Sequence, residues 1–196
     1  MAHSFFAMFS RMKYIDRWAL MRNTRKENLS EHTLEVAAIA HALAVISNEK
    51  FGTDYNAERA ALLGIYHDMP EIITGDMPTP IKYGNPQLKQ AYKAVERETA
   101  SHLVSMLPDY MQESYNRIFI KDEKDAPLWK IVKAADKISA LIKCIEEEKA
   151  GNSEFASAKK STIEHISALE NPAAKIFVDE FIEAYNLDLD ELQQKN

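Results

Sequence analysis

The sequence predicts an all-α protein that folds as one compact domain of several helices over residues 1–196. Three observations predict this class. Apolar residues recur three or four positions apart over long segments, which is the spacing of a buried helix face. No segment is convincing as a strand. Only 5 of the 196 residues are glycine, fewer than turn-rich β folds or glycine-loop nucleotide folds use.

The helices are predicted in chain order from their caps and breakers. The most apolar helix follows Ser30, a suitable N-cap, and ends at Gly52, which suits the left-handed C-cap conformation. Two prolines in three residues predict a stiff, extended loop over residues 75–80, and Pro108 is predicted to stop the helix that precedes it. The further helices are expected over residues 56–67, 87–107, 127–150, 153–170 and 172–186.

Charge, cysteine content and apolar run length limit the function classes. The chain carries 24 basic and 30 acidic residues, whereas a general binder of nucleic-acid polymers needs a basic excess. The single cysteine, Cys144, excludes an internal disulfide, and no signal peptide is apparent. The most apolar stretch, residues 36–46, is too short to span a membrane. We therefore expect a cytoplasmic protein without a membrane or nucleic-acid polymer as partner.

Histidine and aspartate stand at positions where they could form a metal site. His67 and Asp68 lie where a buried helix ends beside the proline-bearing loop. His32 lies in the first turn of the most apolar helix, and Asp136 lies at the edge of an apolar stripe. Two imidazoles and two carboxylates suit Mn, Co, Fe or Ni, with Zn possible. Each residue alone is usually a surface group, so the site depends on their convergence.

The order of these residues on three helices resembles the HD-domain metal-dependent phosphohydrolase superfamily. More specific segments look like the bacterial 5′-deoxynucleotidases of the YfbR type. These segments are residues 17–23, 30–32, 66–68 with Glu71, and 74–80. The resemblance covers most of the chain and is strongest from about residue 5 to residue 150. It implies the all-α HD-domain fold and a homodimer.

The resemblance implies a metal site and a catalytic group. One divalent ion (Co, Mn, Fe, Ni or Zn) would be held by His32, His67, Asp68 and Asp136. Glu71 would act as general acid/base or orient the attacking water, and Asp68 and Trp18 would also be catalytic. From the residues alone, Glu71 would instead be an exposed carboxylate in the first turn of a short helix. Two-metal relatives carry further histidines before the final aspartate, where this chain has only His102, so we expect one ion.

The resemblance also implies how substrate is bound. Arg17 would donate two parallel hydrogen bonds to the phosphate, and Trp18 would wall the pocket and donate through its indole nitrogen. The sugar would be recognised by Asp76, Met77, Pro78 and Thr79, and the metal-site residues facing the substrate would be His32, Asp68 and Asp136. From the residues alone, Arg17 and Trp18 could equally be a pair on an amphipathic helix, and the sugar loop a plain turn.

Together these features predict an enzyme that hydrolyses deoxyribonucleoside 5′-monophosphates to deoxyribonucleoside and phosphate, with little base preference. Close packing at C2′ would exclude ribose. Besides a purely structural helical protein, two alternatives stay open at this point. One is an HD hydrolase of another nucleotide, such as a triphosphate or a ribonucleotide. The other is a regulatory HD module that binds a nucleotide without turnover.

Overall fold

The computed structural model describes residues 2–78, 85–120 and 122–194, and every regular element in those ranges is helical. The α-helices are α1 (Phe5–Phe9), α2 (Leu29–Phe51), α3 (Ala57–Tyr66), α4 (Glu71–Thr74), α5 (Pro86–Ser105), α6 (Asp109–Phe119), α7 (Ala126–Lys149), α8 (Ala156–Ala168), α9 (Pro172–Phe181) and α10 (Leu189–Gln193). Four 3₁₀ segments adjoin them: Ser10–Tyr14, Glu123–Asp125, Ser153–Phe155 and Ile182–Asn186. The prediction of an all-α fold is confirmed.

The predicted helices are present, with differences at their ends. Asn28 caps α2 instead of Ser30: its side chain accepts a hydrogen bond from the Glu31 N–H, and the Glu31 side chain accepts one from the Asn28 N–H. This reciprocal capping box satisfies two backbone donors at once, so the helix begins earlier than expected. At the other end Gly52 has the expected left-handed conformation.

The sequence-based prediction does not include α6, because it interprets Pro108 only as the end of the preceding helix. Proline disfavours the helical conformation in the residue before it, but proline itself can stand at the start of a helix. Pro108 is the N-cap residue of α6, and its extended backbone turns the chain between α5 and α6. The same residue thus ends one helix and begins the next.

Helix α2 is the central helix of the fold. It contacts α3, α7 and α9, and its buried residues include Val36, Leu43 and Ala44. Within the described ranges it alone is long and apolar enough to cross a membrane, by length and composition only. The prediction that the apolar stretch is too short to span a membrane rests on residues 36–46 alone, whereas the helix that contains them has 23 residues. Half of the apolar segment is buried inside the protein, as in the core helix of a folded domain.

Two hydrophobic cores meet at the segment between α3 and α4. Leu63 belongs to the larger core, to which α2, α3, α7 and α9 contribute most of the buried residues. Met69 and Ile72 belong to the smaller core around Phe5 and Leu29. The chain therefore passes from one core to the other between residues 63 and 72. This fixes the segment that carries His67 and Asp68 from both sides.

Candidate active site

The four predicted metal ligands converge. Ligand atoms of His32, His67, Asp68 and Asp136 all lie within 4.8 Å of one another. The Nε2 atom of His32 is 3.5 Å from Oδ2 of Asp68 and 3.3 Å from Oδ1 of Asp136. The Nε2 atom of His67 is 3.1 Å from Oδ2 of Asp68. Helices α2 and α7 and the end of α3 thus bring together side chains that are far apart in the sequence.

Close packing of α2 on α3 sets the distance between the two histidines. A Cβ atom on Gly64 would lie 2.8 Å from the Cα atom of Ala37, closer than real Cβ contacts allow. Glycine therefore permits an approach that any other residue would prevent. With the helices at this separation, the ring centroids of His32 and His67 lie 5.3 Å apart.

Both imidazoles are held at Nδ1, so that Nε2 points into the site. The Nδ1 atom of His67 lies 2.8 Å from the Gly64 carbonyl oxygen. The Nδ1 atom of His32 lies 3.0 Å from Oγ of Ser139, which in turn donates to Oε2 of Glu35 at 2.6 Å. Ser139 and Glu35 are not among the site residues that the sequence predicts. Their spacing could have identified them, since each lies three residues after a metal ligand on the same helix.

The site fits a divalent cation. The Nε2 atoms of His32 and His67 are buried and find no hydrogen-bond partner among the described residues. Buried polar atoms rarely lack a hydrogen-bond partner unless a bound ligand interacts with them. Two imidazole nitrogens and two carboxylates form the mixed donor set that borderline divalent metals accept. The chemistry and burial of these residues therefore match a metal site.

The electrostatics keep both carboxylates ionised, as ligation requires. Burial raises the pKa of Asp68, but the neighbouring imidazoles of His67 and His32 hold it well below its ordinary value. Burial also raises the pKa of Asp136, and Lys137 followed by His32 lowers it further than burial raises it. Burial lowers the pKa of His67, but Asp68 outweighs it and raises that pKa to about 9. A metal ion and a proton thus compete for His67.

Glu27 organises the two residues predicted to contact phosphate. Its Oε2 atom lies 2.7 Å from Nη1 of Arg17 and 3.1 Å from the indole Nε1 of Trp18. The segment between residues 15 and 28 holds no helix, so the alternative of an amphipathic-helix pair is wrong. The Trp18 backbone has φ of 57°, a left-handed conformation that non-glycine residues seldom adopt. No sequence signal pointed to Glu27.

The charge of Arg17 interacts with the carboxylates of the predicted metal ligands. Burial lowers its pKa, but Glu27, Asp136, Asp76 and Asp68 together raise it. The guanidinium is therefore a buried, permanent cation whose charge interacts with the carboxylates of the site. Asp76 is also linked to this segment, since its Oδ2 accepts the Trp18 backbone N–H at 3.3 Å. One hydrogen bond thus joins the segment predicted to bind the phosphate to the loop predicted to recognise the sugar.

Glu147 of α7 anchors the loop between residues 15 and 28 at Thr24, on the far side of Arg17 and Trp18. Its Oε2 accepts the Thr24 N–H at 2.9 Å and the Thr24 hydroxyl at 2.7 Å. The Nδ2 group of Asn152 donates to the same oxygen at 2.8 Å, and Lys143 forms a buried ion pair with Glu147. Burial raises the pKa of Glu147, but these hydrogen bonds hold it far below its ordinary value.

Glu71 is buried, with 3% of its surface exposed, so the exposed-carboxylate alternative is wrong. It is the first residue of α4, directly after Pro70, and its backbone N–H donates to the Asp68 carbonyl oxygen at 2.9 Å. Short helix α4 turns inward because Ile72 enters the smaller core. Glu71 therefore follows the metal-site residues on a fixed backbone.

The predicted sugar loop is described in part. Asp76, Met77 and Pro78 are half-buried, and Thr79 lies outside the described residues. The Tyr92 hydroxyl of α5 donates to the Gly75 carbonyl oxygen at 3.0 Å. This contact anchors the loop one residue before Asp76.

An all-α fold with two histidines and two aspartates converging at a helix end defines the class of HD-domain metal-dependent phosphohydrolases. The chain is similar to the solved structure of an HD-domain phosphohydrolase from Listeria innocua. That likeness has a TM-score of 0.79 and 25% identity, and covers 93% of this chain and 88% of that one. The cyanophage S-2L HD phosphohydrolase, bound to dA and one catalytic Zn²⁺, shares the fold. There the TM-score is 0.64 at 18% identity, over 90% and 95% of the two chains.

Within this class, the family model described as 5′-deoxynucleotidase YfbR-like matches residues 4–185. The chain belongs to this family, and the resemblance inferred from sequence is confirmed. A 5′-deoxynucleotidase from Shewanella oneidensis is 46% identical over 189 residues, covering 96% of this chain and 97% of that protein. The likeness thus extends over nearly the whole chain.

Proposed function

We propose that the protein is a metal-dependent 5′-deoxynucleotidase that hydrolyses deoxyribonucleoside 5′-monophosphates to deoxyribonucleoside and phosphate, with little preference among bases. The observation that carries this proposal is the convergence of His32, His67, Asp68 and Asp136 within 4.8 Å. The buried cation Arg17 lies in the field of the same cluster. Membership of the YfbR-like family supports the choice of substrate.

One divalent ion (Co, Mn, Fe, Ni or Zn) is held by His32, His67, Asp68 and Asp136. Such an ion neutralises phosphate charge and lowers the pKa of a bound water. The proposal of a single ion is supported by His102, which is exposed on α5 and thus supplies no second set of buried ligands. The chain's own contribution is to keep both carboxylates ionised and both Nε2 atoms directed inward.

Arg17 binds the phosphate and Trp18 lines the pocket beside it. A guanidinium donates two parallel charge-assisted hydrogen bonds to phosphate oxygens. Glu27 fixes the guanidinium before substrate arrives, because the ion pair at 2.7 Å is largely buried. The indole N–H of Trp18 shares the same carboxylate oxygen, so Trp18 and Arg17 are oriented together.

Glu71 acts on the attacking water, either as general acid/base or by orienting it, and Asp68 supports this step from the metal site. The burial of Glu71 excludes bulk water from its carboxylate, which is the environment that tunes carboxyl groups for proton transfer. Asp76, Met77, Pro78 and Thr79 recognise the sugar. The Asp76 carboxylate accepts a hydrogen bond from the 3′-hydroxyl, and close packing at C2′ rejects ribose.

We further propose that residues 1–196 form one domain, that the protein is a soluble cytoplasmic enzyme, and that it works as a homodimer. The net charge of −6 opposes binding to nucleic-acid polymers and anionic membranes. An apolar cleft lined by Ile163, Pro172 and Val178 supports the association of two copies through α8 and α9.

The experiment is phosphate release from dAMP, AMP and dATP by chelated protein restored separately with Co, Mn, Mg and Zn. His67→Ala is the control for a contaminating phosphatase. We expect metal-dependent release from dAMP and little from AMP. Equal release from dAMP and AMP would contradict the role of the Asp76 loop, and a preference for dATP would indicate another nucleotide substrate. Metal binding without any release would indicate a regulatory module.

A further inference from the structure

We propose that Ser139 and Glu35 are positioning residues that fix the tautomer of His32, so that its unprotonated Nε2 faces the metal ion. The inference rests on the metal site of the proposed function and not on the nucleotide. It assigns a role to two side chains that are neither among the four metal ligands nor among the residues proposed to bind substrate. Both lie on the helices that carry the ligands, Glu35 on α2 and Ser139 on α7.

The directions of the hydrogen bonds follow from the chemistry of the three groups. A carboxylate only accepts hydrogen bonds, so the Ser139 hydroxyl donates to Glu35, where the distance is 2.6 Å. The hydroxyl proton is then committed, and Oγ has only lone pairs to offer His32. Nδ1 of His32, at 3.0 Å from Oγ, must carry the proton. A neutral imidazole protonated at Nδ1 has its lone pair on Nε2.

His67 reaches the same state by a different device. Its Nδ1 lies 2.8 Å from the Gly64 carbonyl oxygen, and a carbonyl group also only accepts. Both imidazoles are therefore protonated at Nδ1 and present Nε2 to the site. A main-chain carbonyl group orients His67, whereas two side chains orient His32. The contact to His32 can therefore be removed by substitution, because it does not involve the backbone.

Burial makes the orientation of His32 depend on this pair. The His32 and Ser139 side chains are completely buried, so water cannot replace the hydroxyl at Nδ1. Glu35 is half-buried and lines a cleft with Glu27 and Lys143. Without the carboxylate, the Ser139 hydroxyl is free to donate to Nδ1. The imidazole proton would then lie on Nε2, which would have no lone pair with which to bind a cation.

The test is the affinity of the metal-free protein for Zn²⁺, measured by calorimetry against a competing chelator with no nucleotide present. Removing the outer partner of a ligating histidine typically weakens metal binding by about 10- to 100-fold. We expect such a loss for Ser139→Ala and for Glu35→Ala, which removes the acceptor of the Ser139 hydroxyl proton. Glu49→Ala is the matched control, since Glu49 is an exposed carboxylate of the same helix, and the Zn²⁺ affinity of this variant should stay within about twofold of wild type.

A double variant separates positioning from a general structural role. Because Glu35 acts on His32 only through Ser139, adding Glu35→Ala to Ser139→Ala should weaken Zn²⁺ binding no further than Ser139→Ala alone. The melting temperature in chelator should fall for Ser139→Ala, because the buried Nδ1 of His32 loses its partner, and should fall no further in the double variant. Wild-type affinity in Ser139→Ala, or fully additive losses in the double variant, would overturn the proposal. Normal Zn²⁺ binding without nucleotide hydrolysis would contradict only the proposed function.

Discussion

Gly64 of α3 packs so tightly against Ala37 of α2 that a Cβ atom at position 64 would lie 2.8 Å from the Ala37 Cα and 3.0 Å from its backbone nitrogen. The carbonyl group of the same glycine orients His67. One residue thus determines the distance between two helices that carry metal ligands and the direction of one imidazole. The metal site depends on helix packing as much as on its four ligands.

Gly64→Ala should destabilise the protein, although alanine usually stabilises a helix interior relative to glycine. The added methyl group meets backbone atoms, which cannot rotate away. We expect a loss of about 1–3 kcal/mol in the free energy of unfolding, the usual cost of overpacking, together with weaker metal binding. Denaturant unfolding and Zn²⁺ titration measure the two effects.

Because the contact is with the Ala37 backbone, Ala37→Gly should not rescue Gly64→Ala. Full rescue would show that the Ala37 side chain limits the approach of the helices. A Gly64→Ala protein as stable as wild type would contradict the packing argument itself.

Glu27→Gln should reduce kcat/KM for dAMP by roughly 10-fold or more, since a hydrogen bond to a charged group contributes about 1.5–3 kcal/mol. The substituted amide lacks the negative charge that holds Arg17 and Trp18 on one oxygen. We expect KM and the inhibition constant for inorganic phosphate to rise. Asp16→Asn is the matched control, because Asp16 lies in the same loop but pairs with an exposed lysine, Lys26.

If Glu27→Gln instead bound phosphate more tightly, Glu27 would be a competitor of the substrate phosphate at Arg17. That result would contradict its assignment as a positioning group for Arg17.

Glu147→Gln should destabilise the protein by about 3 kcal/mol near neutral pH, because it leaves Lys143 buried without its ionic partner. The folded-state pKa of Glu147 is lowered, so its contribution is fully present above its unfolded pKa. It is lost progressively as pH falls below about 4.5, near the ordinary value for glutamate. The difference in unfolding free energy between wild type and variant should therefore shrink as the solution is acidified.

Chemical denaturation at pH 7, 5 and 3 measures this dependence. Glu146→Gln serves as the control, since Glu146 is the neighbouring exposed carboxylate of α7 and should show little effect. A difference that grows in acid would mean that the pKa of Glu147 is raised in the folded protein.

Tyr92→Phe should lower discrimination between dAMP and AMP. The variant loses the hydroxyl that holds Thr74 at 2.8 Å and Gly75 at 3.0 Å, so the backbone before Asp76 is less restrained. We expect the ratio of kcat/KM for dAMP over AMP to fall several-fold. Tyr110→Phe, on a residue 85% exposed, should leave that ratio unchanged, and an unchanged ratio in Tyr92→Phe would contradict the anchoring role.

The fold could be predicted from sequence because its helices are defined locally. Gly52 ends α2 as expected, and the long helices follow the apolar spacing. The errors arose where two local signals compete: Asn28 supplies a better cap than Ser30 because Glu31 completes the capping box, and Pro108 begins α6 as well as ending α5. The burial of Glu71 depends on the smaller core, to which residues distant in sequence contribute.

The metal ligands could be proposed because their order and neighbouring segments are distinctive, although only the fold shows that they converge. The groups that orient them were not predictable. Ser139 contacts His32 across 107 positions, and Glu27 contacts Arg17 through a loop without regular structure. Such contacts depend on helix packing and loop path, which local spacing does not encode.

The most direct test of the central claim is a titration of metal-free protein with Co²⁺ while phosphate release from dAMP is measured. Activity should be absent at the start, rise linearly and reach its plateau at one ion per chain. The His67→Ala variant should stay inactive throughout. Activity in the metal-free protein, or a plateau only at two ions per chain, would contradict a single functional ion held by His32, His67, Asp68 and Asp136.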